Sequence, residues 1–155
     1  MAQASRKYDV PLSVLYAVAM TESGDGGELH PFALNIEGRP YLAPTFEDAL
    51  RRFAAAKSEG ARLIDVGCMQ INHHFHGAQF ASVGEMFGAH ENVDYGARFL
   101  KRLREQEGSW TLAAARYHAG PGNVPAQKHY VCQVAANMVR SGFGAWTEGA
   151  KAFCR

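Results

Sequence analysis

Glu22 is the residue whose type and position best suit it to chemistry. It follows Leu15 by seven residues and Val18 by four, so on a helix its carboxyl lies on or beside the apolar face. The glycine-rich run 24–27 then stops the helix, which puts Glu22 at the negative end of the helix dipole. Partial burial and this dipole favour the protonated carboxyl, and we expect its pKa to rise from about 4.3 towards about 6, the range of a general acid. The alternative is an exposed glutamate at a frayed helix end.

Three short motifs occur in order along the chain. They read Met-Thr-Glu-Ser over 20–23, Val-Gly-Cys-Met-Gln-Ile-Asn over 66–72 and Ala-Arg-Tyr-His-Ala-Gly-Pro-Gly-Asn over 115–123. In order and rough spacing they resemble the bacterial soluble-lytic-transglycosylase (SLT) family of the lysozyme-like superfamily. Asn92-Val93, followed by Gly96 and Leu100, resembles a fourth family pattern. The likeness covers about residues 10–139, and three ordered motifs match by chance far less often than one.

This resemblance implies cleavage of the β-1,4 bond between N-acetylmuramic acid and N-acetylglucosamine in peptidoglycan. Glu22 matches the single catalytic acid, which protonates the leaving oxygen and then takes the proton of the muramoyl 6-hydroxyl as that hydroxyl attacks C1. The product is a 1,6-anhydro sugar, because a hydroxyl held in place outcompetes bulk water. Tyr117 matches the tyrosine whose hydroxyl lies close to the catalytic carboxyl. The residues expected to bind substrate are Ser23, Met69, Gln70, Asn72, His118, Gly120 and Tyr130.

Several of these residues also have an ordinary structural interpretation. Ser23 can simply end the helix, Met69 can fill the core, and Tyr117 can be a packed residue between alanines. The chain departs from the family pattern at His118, where relatives have asparagine, and at Cys68, where they have leucine. A histidine can keep a hydrogen bond to sugar but adds a pH dependence near about 6.5.

Asp65 is the candidate for a second carboxylate. It directly precedes the second motif and could enter the cleft opposite Glu22, where it would stabilise an oxocarbenium ion or orient a water molecule. In that role it would make the enzyme partly a hydrolase. The alternative is a solvated turn aspartate, a position that this residue type commonly takes.

The second motif also resembles one branch of the family. Its form Asp-x-Gly-x-Met-Gln-Ile-Asn over 65–72, together with segment 31–35 and the insertion after it, is similar to members attached to secretion, conjugation and pilus machines. This implies local opening of the cell wall for an assembling apparatus, and a periplasmic or exported location. Residues 1–8 are polar and hold no signal-peptide segment, so we expect any leader to have been removed.

Composition excludes several other classes of protein. With 155 residues, 47% hydrophobic and 20% charged, the chain has the balance of one soluble globular domain. Its net charge of +1 creates no field that attracts nucleic acid or an acidic membrane. No apolar run approaches the roughly 18 residues of a membrane span. The sequence therefore predicts no nucleic-acid partner, no transmembrane segment and no cofactor.

The cysteines and a histidine cluster are the remaining candidates for covalent or metal chemistry. Cys68, Cys132 and Cys154 match no zinc spacing. Either all three are free thiols, or Cys132 pairs with Cys154 in an oxidising compartment and Cys68 is left over. His74 and His76 would share a metal only in an extended segment, and no nearby aspartate or cysteine completes a set. We therefore predict no metal site.

Helical periodicity dominates the elements that must position these groups. We predict helices over 11–23, from Thr45 to about 60, from Ser82, from Asn92 to about 108, over 109–117 and from Pro125 to about 142, with an extended turn over 65–72. The predicted fold class is all-α: a single lysozyme-like domain over 1–155, its core at about 10–139, with a small β-hairpin or loop insertion around 34–44.

Two further functions stay open beside the lytic transglycosylase. One is a lysozyme-type muramidase that uses Glu22 and Asp65 to activate water. The other is a peptidoglycan-binding scaffold with little turnover, against which the presence of Glu22 and Tyr117 argues. A metal-dependent protein is a distant third.

Overall fold

Helices make up most of the structure, a computed structural model that describes every residue from Met1 to Arg155. The helices are α1 (Ala2–Tyr8), α2 (Leu12–Ser23), α3 (Phe46–Ser58), α4 (His73–His76), α5 (Val83–Phe87), α6 (Ala89–Glu107), α7 (Trp110–His118), α8 (Val124–Arg140) and α9 (Glu148–Phe153). The strands are β1 (Gly24–Asp25), β2 (Glu28–Leu29), β3 (Ala33–Ile36), β4 (Arg39–Leu42), β5 (Ile64–Val66) and β6 (Ile71–Asn72). The mostly helical, lysozyme-like fold class is confirmed, and β3 and β4 form the small hairpin. None of the helices combines the length and apolarity that a membrane span requires.

The two helices that the sequence predicts to start at Thr45 and at Ser82 each have a side-chain cap. The Thr45 hydroxyl accepts the backbone N–H of Asp48 at the start of α3 (3.2 Å), and the Ser82 hydroxyl accepts that of Glu85 at the start of α5 (3.1 Å). Each bond satisfies a backbone donor that has no partner within the helix. At the other end of a helix, Gly108 follows α6 with φ of 80°, the left-handed conformation that glycine adopts at low cost.

The structure differs from the sequence prediction in several elements. Helix α6 begins at Ala89, so Asn92 lies within its first turns and is not its cap. Segment 73–76, where the sequence predicts no regular element, is helical and has Asn72 as its N-cap. Segment 65–72 is more regular than an extended turn, because β5 and β6 pair across it as an antiparallel hairpin. The short terminal helices α1 and α9 carry no periodic stripe long enough to predict them.

The chain forms two compact units, one made of Met1–Thr21 with Ala97–Arg155 and the other of Glu22–Gly96. The first unit is all helical. Helices α7 and α8 pack together in it, and its fully buried side chains include Leu15, Val18, Leu100 and Ala113. The prediction of a single domain over residues 1–155 stays a prediction.

A disulfide fixes the end of the chain within the first unit. Cys132 of α8 and Cys154, directly after α9, are bonded, while Cys68 is free and buried. The Lys128 ammonium also donates to the carbonyl of Arg155 (3.1 Å). Of the two alternatives for the cysteines, the paired one is therefore confirmed.

The second unit is built on an antiparallel sheet of strand order β4-β3-β5-β6. Successive side chains of a strand point to opposite faces, so each transverse row belongs to one face. One row is buried in the core and consists of Leu34, Val66 and Ile71. The neighbouring row, on the opposite face, consists of Pro40, Asn35, Asp65 and Asn72. The sheet thus separates an apolar floor from a polar row that contains two of the predicted site residues.

Candidate active site

Glu22 lies in the last turn of α2, as the sequence predicts, and is half-buried. The helix ends at the next residue, Ser23, which is only 5% exposed. The Ser23 hydroxyl donates to the carbonyl of Cys68 across 2.8 Å. This buried hydrogen bond joins the end of α2 to the turn between β5 and β6. The first and second sequence motifs therefore meet at this point.

The turn between β5 and β6 depends on two residues with positive φ, Gly67 (80°) and Gln70 (45°). The backbone N–H of Gln70 donates to the carbonyl of Gly67 (3.1 Å). Its side-chain amide donates to the same carbonyl (2.9 Å) and to that of Ala33 (3.3 Å). A left-handed glutamine is uncommon, and these bonds hold it in place. The side-chain amide nitrogen of Gln70 is therefore engaged with the backbone, and the role of Gln70 in substrate binding stays a prediction.

Asn92 of α6 is completely buried and holds this turn through its side-chain hydrogen bonds. Its side-chain oxygen accepts the N–H of Met69 (2.8 Å), and its amide nitrogen donates to the carbonyls of Val66 (2.9 Å) and Met86 (2.8 Å). A Cβ at Gly67 would lie 2.5 Å from that nitrogen, so glycine is required there for space as well as for conformation. This role could not be predicted from the sequence, because the partners lie 6 to 26 residues away and no local pattern connects them.

Asp65 is a half-buried residue of β5, level with Asn35 on one side and Asn72 on the other. The Asn72 amide donates to the Asp65 carboxylate (2.7 Å), while the Asn72 side-chain oxygen accepts the N–H of His74 (3.0 Å). Burial raises the pKa of Asp65, and the hydrogen bond from Asn72 partly opposes that shift. The alternative of a solvated turn aspartate is therefore wrong, whereas the catalytic role of Asp65 stays a prediction.

Two residues expected to bind substrate lie inside the core. Met69 has no exposed surface and packs so closely against Gly96 that a Cβ there would lie 2.8 Å from its Cε. Tyr130 is 2% exposed. Both side chains are thus buried in this structure, and their role in substrate binding stays a prediction.

Tyr117 lies near the end of α7 and is half-buried. Its ring centroid lies 5.3 Å from that of Phe99, at an interplanar angle of 44°. The neighbouring Arg116 donates to Glu107 (2.8 Å), which fastens the same helix to the end of α6. The ring of Tyr117 is thus packed on one side, and its predicted catalytic role stays a prediction.

His118 is the last residue of α7 and stacks on Tyr130, with ring centroids 4.4 Å apart and planes within 6° of parallel. Partial desolvation, and to a lesser extent the charge of His129, lower the pKa of His118 below its ordinary value. The exposed Gly120 follows, and its carbonyl accepts the side-chain amide of Gln127 (2.9 Å). The part of the third motif that follows α7 thus forms a loop tied to α8.

The histidine cluster does not have the geometry that sharing a metal would need. Because segment 73–76 is helix α4, side chains two positions apart, such as His74 and His76, do not face each other. His76 instead contacts the hydroxyl of Tyr95 (2.9 Å), and the His73 ring packs edge-on against Phe53. No group of three or more His, Cys, Asp or Glu side chains is arranged to hold a metal ion.

Comparison with known proteins bears on all three motifs together. Residues 1–138 match the family model described as the Transglycosylase SLT domain. No curated protein and no solved structure matches the chain. The matched segment contains every site residue that the sequence analysis singled out, and it supports lytic transglycosylase activity on peptidoglycan in general. The chain therefore belongs to the SLT transglycosylase family.

Proposed function

We propose that this protein cleaves the β-1,4 bond between N-acetylmuramic acid and N-acetylglucosamine, and closes the muramoyl residue to its 1,6-anhydro form. The observation that carries the proposal is the end of α2, where half-buried Glu22 precedes a serine bonded to the Cys68 carbonyl in the second motif. A carboxyl that is partly removed from water at the negative end of a helix favours its protonated form, as a general acid requires.

In the proposed reaction Glu22 acts twice. It first donates its proton to the glycosidic oxygen as the bond from C1 to that oxygen breaks. As a carboxylate it then accepts the proton of the 6-hydroxyl, whose oxygen forms the new bond to C1. Glu22 ends in its starting state and no water is consumed. The intramolecular hydroxyl competes with water because it is held beside C1 at a high effective concentration.

Asp65 supports a second candidate, a lysozyme-type hydrolase. A half-buried carboxylate that accepts a hydrogen bond from Asn72 is positioned more firmly than a solvated turn residue. If it faces the scissile bond, it can stabilise the positive charge that develops at C1, or orient water for hydrolysis. We assign Asp65 the first of these roles in the transglycosylase and keep the hydrolase as the alternative.

The remaining site residues have supporting roles in this proposal. Tyr117 is assigned a position near the catalytic carboxyl by the family resemblance, and His118 and Gly120 are assigned to the sugar. Gln70 offers its side-chain oxygen, since its nitrogen is bonded to the backbone. Ser23 donates to Cys68 and so fixes the helix end on which Glu22 is carried.

The cellular setting is a further part of the proposal. We assign the protein to local wall remodelling by a secretion, conjugation, pilus or flagellar apparatus, in the periplasm or after export, where peptidoglycan is found. The disulfide between Cys132 and Cys154 supports an oxidising compartment. The expected partners are the glycan strands of peptidoglycan and components of that machine.

Mass spectrometry of digested cell wall tests the reaction. The proposed enzyme releases anhydro-muramoyl ends, which are lighter by one water, about 18 Da, than the reducing ends of hydrolysis. Glu22→Gln should abolish release, whereas Glu47→Gln, at an exposed position of α3, should not alter it. Asp65→Asn should lower turnover at least about tenfold, the usual worth of a positioned charge in a transition state.

Other outcomes select the alternatives. Reducing ends instead of anhydro ends would favour the hydrolase. Unchanged lysis by Glu22→Gln would refute the assignment of the general acid. Wall binding by the wild-type protein without any release would favour the scaffold.

A further inference from the structure

A cavity of about 490 Å³ lies between the β3-β4 hairpin and the C-terminal half of α3. This volume is within the range of ordinary ligand sites. Its floor is apolar and includes Ile36, Ala55 and Ala56. Its rim is charged and includes Arg39, Arg52 and Glu59. None of the residues assigned to the glycan reaction lines this cavity, so it is a separate concave surface within the unit Glu22–Gly96.

The cavity lies on the sheet face opposite the polar row that contains Asp65. Successive side chains of a strand point to opposite faces. In β3, Ile36 therefore points away from the face of Asn35, and Asn35 is level with Asp65. Arg39 of β4 lies directly across from Ile36 and shares its face. A molecule bound in the cavity thus leaves the face of Asp65 open.

The two arginines of the rim have no carboxylate partner. Arg39 and Arg52 are exposed, and neither forms an ion pair. The guanidinium of Arg52 lies 5.0 Å from the ring centroid of Tyr41, which holds it at the rim. Asp48 of the same helix is already engaged, because it accepts the Tyr41 hydroxyl (2.8 Å) and the Arg51 guanidinium (2.9 Å). Both rim arginines can therefore bind a carboxylate of another molecule through paired hydrogen bonds.

Two glutamates make the charge of the rim mixed. One side-chain oxygen of Glu37 accepts the backbone N–H groups of Arg62 (2.7 Å) and Leu63 (2.9 Å), so this carboxylate is engaged by the chain itself. Glu59, at the end of α3, is exposed and forms no ion pair. A nucleic acid or a membrane of acidic lipids would bring phosphates against both glutamates, and like charges in contact oppose binding. An isolated carboxylate, as on a peptide, fits the rim better.

The sheet edge beside the cavity favours recognition through side chains. Strand β4 is the edge of its sheet, and Pro40 within it has no N–H group to donate to an added strand. Pairing of a peptide backbone with this edge is therefore weakened. The guanidinium groups and the apolar floor remain, and they suit a carboxylate and a neighbouring aliphatic side chain.

We propose that this cavity is a recruitment site for a partner protein, and that it binds a short acidic segment of that partner. An aspartate or glutamate of the segment pairs with Arg39 and Arg52, and an adjacent aliphatic side chain lies on the floor. An exposed charge pair contributes little by itself, so burial of the aliphatic side chain supplies affinity while the arginines supply specificity. This role goes beyond the proposed reaction, because a partner bound here holds the protein without covering the face of Asp65.

Selection of random peptides displayed on phage, with the intact protein as bait, tests this assignment without any turnover. The selected peptides should share an aspartate or glutamate next to an aliphatic residue. Isothermal titration with one such synthetic peptide should show a single site, and the perturbed backbone amides in NMR spectra should include those of Arg39 and Ala61. Arg39→Gln and Arg52→Gln should each weaken binding about three- to tenfold. Arg6→Gln, at an exposed arginine outside the cavity, is the charge-matched control and should bind as the wild type does.

Two matched comparisons separate the charge contact from the apolar one. Replacing the acid of the peptide with its amide should weaken binding to the wild type. The same replacement should have little effect in the Arg39→Gln, Arg52→Gln double variant, because the contact is already lost there. Ala55→Leu fills the floor and should abolish binding. Ala54→Leu changes the neighbouring exposed alanine of α3, which does not line the cavity, and should not alter binding.

The proposal is overturned if no acidic motif is selected, if the arginine variants bind the peptide as tightly as Arg6→Gln, or if Ala55→Leu binds as well as Ala54→Leu. Dimerisation of the wild type that the double arginine variant abolishes would assign the cavity to a second copy and overturn the assignment to a partner. Release of anhydro ends from purified cell wall should be unchanged in the double variant. Since the titration needs no cleavage, peptide binding can fail while the reaction succeeds, and the reverse, so the two proposals are tested separately.

Discussion

Removing the side-chain amide of Asn72 should raise the pKa of Asp65. The amide donates to the Asp65 carboxylate across 2.7 Å, and this bond is what opposes the effect of burial on that carboxyl. Asn72→Ala leaves burial unopposed, so the protonated form of Asp65 gains. If cleavage needs ionised Asp65, the acid limb of the pH–rate profile should then move to higher pH.

The size of this shift follows from the strength of the lost bond. A hydrogen bond to a charged group contributes about 1.5–3 kcal/mol, and for a half-buried pair the lower end applies. The charged form of Asp65 loses stabilisation of about this size relative to the protonated form, so its pKa should rise. Asn72→Asp should give a larger rise, because it replaces the donor with a second carboxylate.

Carbon-13 NMR titration of the Asp65 carboxyl measures the shift directly, and pH profiles of anhydro-product release measure its consequence. Asn72 also caps α4, so its loss costs stability of about 1 kcal/mol as well. Ser82→Ala is the matched control, because it removes the cap of α5 at a similar cost without touching Asp65. A titration of Asn72→Ala that coincides with that of the wild type would refute the reasoning. A shifted pKa with an unmoved pH profile would instead exclude Asp65 from the reaction.

Three further predictions concern the disulfide, the buried amide of Asn92 and the pKa of His118. Replacing Cys132 and Cys154 with serine opens a loop with a sequence separation of 22, and urea denaturation should show unfolding to be easier by about 3 kcal/mol; an unchanged midpoint would contradict this. Asn92→Leu leaves one N–H and two carbonyls without their partner, so urea denaturation should show a free energy of unfolding lower by at least about 3 kcal/mol. A decrease of less than about 1 kcal/mol would show that the amide is dispensable. Titration of His118 followed by NMR should give a pKa below about 6.5. The fold favours the neutral ring, so the free energy of unfolding should rise with pH from the folded pKa up to the unfolded one, and His118→Asn should flatten that rise.

Features set by neighbouring residues could be predicted from the sequence. The caps at Thr45 and Ser82 and the stop after Ser23 depend on side chains within three residues of the helix end. The hairpin of β3 and β4 also follows from local chemistry, since Gly38 takes a positive φ at its turn. Helix caps and hairpin turns depend on residues close together in the chain, so the order of residues is enough to predict them.

Features set by distant contacts could not be predicted. Asn92 is a good helix cap by type, and only the folded chain reveals that its amide bonds to residues of β5, α5 and the turn between β5 and β6. Met69 and Tyr130 match positions of the family motifs or lie near them, but the sequence alone does not distinguish a surface contact from a buried support. The partnership of Asp65 with Asn72 depends on strand register, which the short segment 65–72 leaves undetermined until the sheet forms.

The buried amide of Asn92 has a consequence for how the enzyme can respond to acidity. A carboxamide carries no titratable proton, so its three hydrogen bonds persist at any pH at which the chain stays folded. An aspartate in its place would accept but not donate, and would lose or gain charge as the medium changes. The turn that carries Gln70 is thus held by a side chain that does not titrate, whereas the site carboxylates Glu22 and Asp65 do. Acidification can therefore lower the activity reversibly, without breaking the hydrogen bonds that hold the turn between β5 and β6.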